Sequence, residues 1–147
     1  MKSEQRVGKV GERIAAQALR MAGVEMVERI GTPVILVATE HPGQFRVIFE
    51  ETVSGDHRGI LTGGRSVLAE TKTVMDGNLT WSHLREHQPG RLDEHAKYGG
   101  LSLLVWVHQS GVYIMRWPVD GFGPGKGITQ SWAKRISIVE LTHDDYF

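Results

Sequence analysis

Apolar residues at Val7, Val10, Ile14, Ala18 and Ala22 recur in steps of three and four, with Lys9, Glu12, Arg13 and Arg20 between them. That is the period of one helix face, and Gly23 supplies a stop, so the pattern predicts a helix over 7–22. The period then shortens. Residues 24–30 are mixed, Val34–Ala38 is an apolar run of strand length, and His41-Pro42-Gly43 marks a turn. Phe45, Val47 and Phe49 around Arg46 and Ile48 suit a strand, and Ser54-Gly55-Asp56 breaks the pattern. Residues 59–61 and Ser66–Thr73 read as two arms of a hairpin about Gly63-Gly64. Helical spacing returns over 79–96 through Leu79, Leu84 and Leu92, with a break expected at Pro89-Gly90. Residues 101–107 and 112–117 read as strands, 121–127 as a loop, 129–135 as a short helix and 136–141 as a last strand. Helix, strands, helix and strands again predict an α/β fold with a mixed central sheet flanked by helices. With 147 residues and no repeat or linker, the expectation is one domain over 1–147.

Composition narrows the classes of function. Lysine plus arginine and aspartate plus glutamate are 17 each, which removes bulk positive charge as a route to nucleic acid and leaves local basic patches. The absence of cysteine removes disulfides, thiolate nucleophiles and cysteine-ligated metals. No apolar run reaches the ~18 residues of a membrane span, and the first residues lack the apolar core of a signal peptide. No membrane and a cytoplasmic location are expected.

The chemistry concentrates in residues 54–72. Glu70 and Lys72 are two apart on a predicted strand and leave the same face, while Val67 and Ala69 leave the other toward a core. Alone, Glu-x-Lys describes a salt-bridged solvent face. Asp56, at the chain break before the hairpin, changes the reading, because an antiparallel return can bring it beside Glu70. Two carboxylates converging with a lysine suit metal-assisted phosphodiester hydrolysis, with Mg²⁺, or Mn²⁺ as a substitute, on hard oxygen ligands.

Asp56, Glu70 and Lys72 resemble the Asp…Glu-x-Lys signature of the PD-(D/E)XK nuclease superfamily. Within it the chain resembles the RecU-type Holliday junction resolvases. The likeness rests on Gly8-Lys9-Val10-Gly11-Glu12, Thr32-Pro33-Val34, Asp56-His57-Arg58-Gly59 with Gly64-Arg65, and Glu70-Thr71-Lys72-Thr73. It continues through Glu86-His87-Gln88, Gly99-Gly100-Leu101 and Lys134-Arg135-Ile136-Ser137-Ile138, in order over nearly the whole chain. The resemblance implies a restriction-endonuclease-like core and metal binding by Asp56 and Glu70. It makes Lys72 the catalytic lysine and Gln88 a helper that positions Lys72, water or phosphate. Glu12 would lie beside the site and hold a second metal through water.

Three features depart from the family. Gly63-Gly64 adds a residue between Asp56 and Glu70, Ser54-Gly55 stands where two threonines are expected, and the segment before Asp56 is short. In the family that segment forms a stalk entering the junction, so its length bears on junction selectivity more than on hydrolysis.

Competing motifs are weaker. His83 and His87 are four apart, a spacing that chelates metals on a helix, but Leu84 stands where a zincin has glutamate and no third ligand follows. The glycine-dense 121–127 segment fits neither phosphate-loop spacing; it reads as a flexible loop whose Lys126 reaches DNA. Trp81, Trp117 and Trp132 read as core or interface anchors, and Trp106, in an apolar strand, as core. Arg58, Arg65, Lys72, Arg85, Arg91 and Lys97 fall on or near the proposed site, and Lys2, Arg6, Lys9, Arg13 and Arg20 line the first helix; of these Lys9, Arg13, Arg58, Arg65 and Arg85, with His87, are expected to contact DNA phosphates. The expected function is a Mg²⁺-dependent endonuclease that cuts four-way DNA junctions as a homodimer. The alternatives are a restriction-like or repair nuclease on another DNA form, and a catalytically silent DNA-binding scaffold.

Overall fold

In a computed structural model the described residues are 2–31, 34–49, 57–141 and 145. The chain opens with helix α1 (Lys2–Ala22), then strands β1 (Glu25–Arg29), β2 (Val34–Ala38), β3 (Phe45–Phe49), β4 (His57–Ile60) and β5 (Ser66–Thr73). A two-residue β6 (Leu79–Thr80) and a 3-10 turn (Trp81–His83) lead to α2 (His87–Lys97), β7 (Leu101–His108) and β8 (Gly111–Arg116). A short β9 (Gly127–Ile128) and α3 (Gln130–Ile136) follow.

Five strands form the main sheet in the order β1-β4-β5-β7-β8. Only β5 and β7 run parallel, and the helical connection between them is α2. Side chains alternate across β7, which is buried along nearly its whole length. Leu103, Val105 and Val107 pack with Ala15, Leu19 and Ala22 of α1. Leu104 and Trp106 pack on the other side with Leu92 of α2 and Ala133 of α3. The fold is therefore the expected mixed α/β sheet with helices on both faces.

Several local expectations are met and four are corrected. The β4–β5 hairpin turns at Gly63 and Gly64, both at φ near +97° (96° and 97°), a conformation open to glycine at little cost. Trp106 is core, with its Nε1 donating to Val74 O at 2.8 Å. Pro89-Gly90 does not break a helix. It lies in the first turn of α2, where the backbone N–H that proline lacks has no intrahelical partner, and the break falls at residues 84–86. The mixed segment 24–30 contains edge strand β1. Residues 136–141 form no strand. Ser137 Oγ accepts the Ile114 N–H at 3.0 Å, taking a donor that a ladder would use, and only Ile138 N reaches the β8 backbone, at Ile114 O.

The fourth correction concerns α1. The stripe of Val7, Val10 and Ile14 is exposed, and the buried stripe is turned round to Gly11, Ala15, Leu19 and Ala22. Small residues set this choice: a Cβ at Gly11 would run into Thr73 Oγ1, so glycine is what lets α1 lie this close to β5.

Candidate active site

On β5, Val67 and Ala69 enter the α1 side of the core, as expected, while Leu68 packs with the α2 side. Glu70 and Lys72 share the parity of Leu68 and so face α2. This is no solvent face. Glu70 is 2% exposed, and the Lys72 side chain is 15% exposed. A carboxylate buried to this degree is costly unless it is both paired and hydrogen-bonded. Glu70 has both. Lys72 Nζ lies 3.4 Å from Glu70 Oε1, and Gln88 Nε2 donates to the same oxygen at 2.6 Å.

The first turn of α2 carries Gln88 into this position. Its own Oε1 accepts the Arg85 backbone N–H at 2.8 Å. That second bond fixes which end of the amide faces Glu70: the oxygen is committed to a donor, so the NH₂ is the end that meets the carboxylate. Three of the expected site residues, Glu70, Lys72 and Gln88, are thus brought together from two elements far apart in sequence.

Asp56 lies outside the described residues. His57, which follows it, pairs with Ala69, which precedes Glu70. Among the described residues no three His, Asp or Glu side chains gather in a way that could hold a metal ion.

Glu12 belongs to a second group. It pairs with Arg29 at 3.0 Å on the wall of a cavity of about 400 Å³ under α1. Lys9, Arg13, Arg20 and the buried His57 line the same cavity. His57 pairs with Ala69, whose side chain faces α1, so this basic pocket is on the opposite face of the β4–β5 pair from Gln88. Lys9 and Arg13 were legible as basic residues of the first helix. No local signal marks Arg29 for this cavity: it sits in the mixed segment, and only the β1–β4 pairing brings it over the helix.

The remaining basic candidates scatter. Arg65 spends its guanidinium on three backbone carbonyls, of Gly99 at 3.0 Å, Asp145 at 2.8 Å and Gly100 at 3.3 Å, tying the hairpin turn to the α2–β7 connection. Arg58 is exposed on β4, 3.5 Å from Glu28. Arg85 is exposed just before α2, and His87 is half-buried at its start. His83 is used locally: its Nδ1 accepts the Thr80 N–H at 2.9 Å and closes the 3-10 turn.

One histidine outside the proposed site is held firmly. Ser102 Oγ donates to Leu92 O at 2.8 Å, so it accepts from His95 Nδ1–H at 2.9 Å. His95 Nε2 then accepts from Ser66 Oγ at 3.0 Å. Burial, and then the Arg65 charge, hold the His95 pKa below the usual imidazole value.

No family model matches this chain, and no curated protein matches it. Among solved structures it resembles Hjc, a Holliday junction resolvase of the archaeal hyperthermophile Archaeoglobus fulgidus. The TM-score is 0.57 at 16% identity, over 89% of this chain and 96% of that one. The likeness shows the fold. It extends over nearly the whole length of both chains. Among the described residues no helix is long and apolar enough to cross a membrane.

Proposed function

We propose that this chain is a structure-selective DNA endonuclease that resolves four-way junctions by Mg²⁺-dependent phosphodiester hydrolysis, acting as a homodimer and as one nuclease unit over 1–147 in the cytoplasm. The observation that carries this reading is the buried Glu70 carboxylate gripped on one oxygen by Lys72 and Gln88. The RecU-type motifs and the fold shared with an archaeal Holliday junction resolvase support it.

The donor set fits a hard divalent ion. Glu70 offers a buried carboxylate whose charge calls for cations around it, and Asp56, one residue from the β4–β5 ladder, is the second carboxylate in this reading. Bound there, Mg²⁺ would supply charge neutralisation at the scissile phosphate and acidify a water. Lys72 Nζ orients or deprotonates the attacking water, or meets the negative charge that develops on the phosphorane. Gln88 holds Glu70 and, through it, Lys72. Lys9, Arg13, Arg20 and Arg29 offer cations to the DNA backbone on the α1 side. Paired nicks on opposing strands need two such sites, which a two-fold dimer provides.

The test is cleavage of a panel of synthetic DNAs, a four-way junction, a fork and a linear duplex, with Mg²⁺ or with chelator. Wild type should cut the junction in symmetric pairs, only with the metal. Asp56→Ala and Glu70→Ala should bind the junction and leave it intact. Robust cutting by either variant at saturating Mg²⁺ defeats the site assignment, and equal cutting of linear duplex defeats the junction reading.

A further inference from the structure

Ser66, His95 and Ser102 form a chain of side chains that the nuclease reading does not use. Ser102 Oγ gives its only proton to Leu92 O at 2.8 Å, so it accepts the His95 Nδ1–H at 2.9 Å. That fixes the tautomer: the proton is on Nδ1, and Nε2 is left as an acceptor 3.0 Å from Ser66 Oγ. The ring is also clamped, because a Cβ at Gly100 would run into it. Burial, and then the Arg65 charge, keep it in its neutral, basic form near neutral pH. Ser66 is exposed at the start of β5, and it lines with His95 a pocket of about 430 Å³ between β5 and α2. Arg58 and Arg91 line the same pocket. Each meets one carboxylate, Glu28 at 3.5 Å and Glu94 at 3.3 Å, and a guanidinium has further N–H donors beyond one such contact. Leu68 and Tyr98 add apolar and aromatic wall.

We propose that Ser66 is a nucleophile, with His95 as its general base and Ser102 positioning the imidazole, in a second site that takes carboxylic esters carrying a negative charge. A hydroxyl is a weak nucleophile until a base takes its proton, and the base works when a third group orients it. Ser66 Oγ attacks the ester carbonyl carbon as its proton passes to His95 Nε2. An Oγ–C bond forms, the carbon–oxygen bond to the alcohol breaks, and His95 returns the proton to the departing oxygen. Water, deprotonated by the same nitrogen, then cleaves the Ser66 ester and releases the acid. Arg58 and Arg91 set the substrate class, since two guanidiniums on the wall attract a carboxylate arm. An ordinary serine–histidine contact is available for comparison: Ser110 Oγ meets His108 Nδ1 at 2.7 Å, two residues apart in the β7–β8 turn.

The probe is the mono-p-nitrophenyl ester of adipic acid, with neutral p-nitrophenyl acetate beside it, added to the full chain. Wild type should release a stoichiometric burst of p-nitrophenol, faster with the charged ester, and peptide mass spectrometry should place the adipoyl group on Ser66. Ser66→Ala should lose burst and adduct. His95→Asn should slow the burst by ~10²-fold or more. Nitrogen NMR of the imidazole should show His95 protonated on Nδ1 in wild type, and Ser102→Ala should lose that single tautomer and slow the burst. No burst in wild type, an adduct that forms as fast in His95→Asn, or labelling of Ser110 equal to that of Ser66 overturns the site. Should a variant fail to melt as a folded protein, the wild-type burst and the place of its adduct decide alone. Selective acylation of Ser66 in a chain that cuts no DNA supports this site and defeats only the nuclease reading.

Discussion

Gln88 and Glu70 are 18 residues apart in the chain and meet at 2.6 Å, amide to carboxylate, in the interior between α2 and β5. Gln88 is held at its other end by the Arg85 N–H, so the contact is part of a fixed frame. Gln88→Ala removes the donor and leaves a buried carboxylate oxygen less satisfied. The expected cost is about 1–3 kcal/mol in stability, with cleavage reduced more than junction binding. Urea melts together with single-turnover cleavage and a binding titration read the two effects separately. Gln88→Glu would set a second carboxylate against Glu70, where two acids at this distance share a proton; its activity should rise with pH over a range in which wild type is flat.

Lys72 discriminates between catalysis and simple pairing. As the partner of a carboxylate on an exposed face it would contribute about 0–1 kcal/mol, but it is largely buried beside Glu70. Lys72→Ala should reduce the single-turnover rate by ~10²–10³-fold, the scale of one transition-state contact. Lys72→Arg should fall short of full rescue, because the guanidinium is larger, planar and no base near neutral pH. Near-wild-type cleavage by Lys72→Ala would return Glu70-Thr71-Lys72 to an ordinary strand.

The basic residues divide by what they touch. Lys9 and Arg13 line an open cavity, whereas Arg65 is bound to three carbonyls. Junction affinity of wild type should fall by ~10³-fold or more between about 50 and 200 mM salt if ~6 or more phosphates are contacted. Lys9→Ala should lower the slope of that dependence by about one contact. Arg65→Ala should leave the slope unchanged and lower stability by roughly 2 kcal/mol, the scale for hydrogen bonds from a charged group. A flat salt dependence in wild type argues against DNA as the partner.

His95 gives the fold an acid-sensitive component. Its folded pKa lies below the unfolded value of about 6.5. The unfolded chain therefore takes up a proton first as pH falls, and unfolding is favoured. This contribution is complete above about pH 6.5 and is lost as pH drops from there toward the folded value. Urea melts of wild type and His95→Asn at about pH 7.5 and 5.5 compare the two states of a normal imidazole. The drop in stability should be smaller in the variant; equal drops would show that His95 does not titrate in this range.

The sequence by itself determined the order and kind of most elements. Local signals suffice for these: a 3.6-residue period for α1, alternation for β3 and β5, and paired glycines for the turn at residues 63–64. It also determined that Glu70 and Lys72 share a strand face, because side chains alternate along any strand. Tertiary structure alone decided that the face is buried, since that depends on α2 covering β5. It placed Gln88 on Glu70 and put Glu12 with Arg29 on the other side of the sheet, through contacts between residues far apart in the chain. It also decided which of the two apolar stripes of α1 the sheet would take. Periodicity marks both stripes as apolar. Only the close approach at Gly11 and Thr73 settles which is covered, because a helix packs nearest where its side chains are smallest.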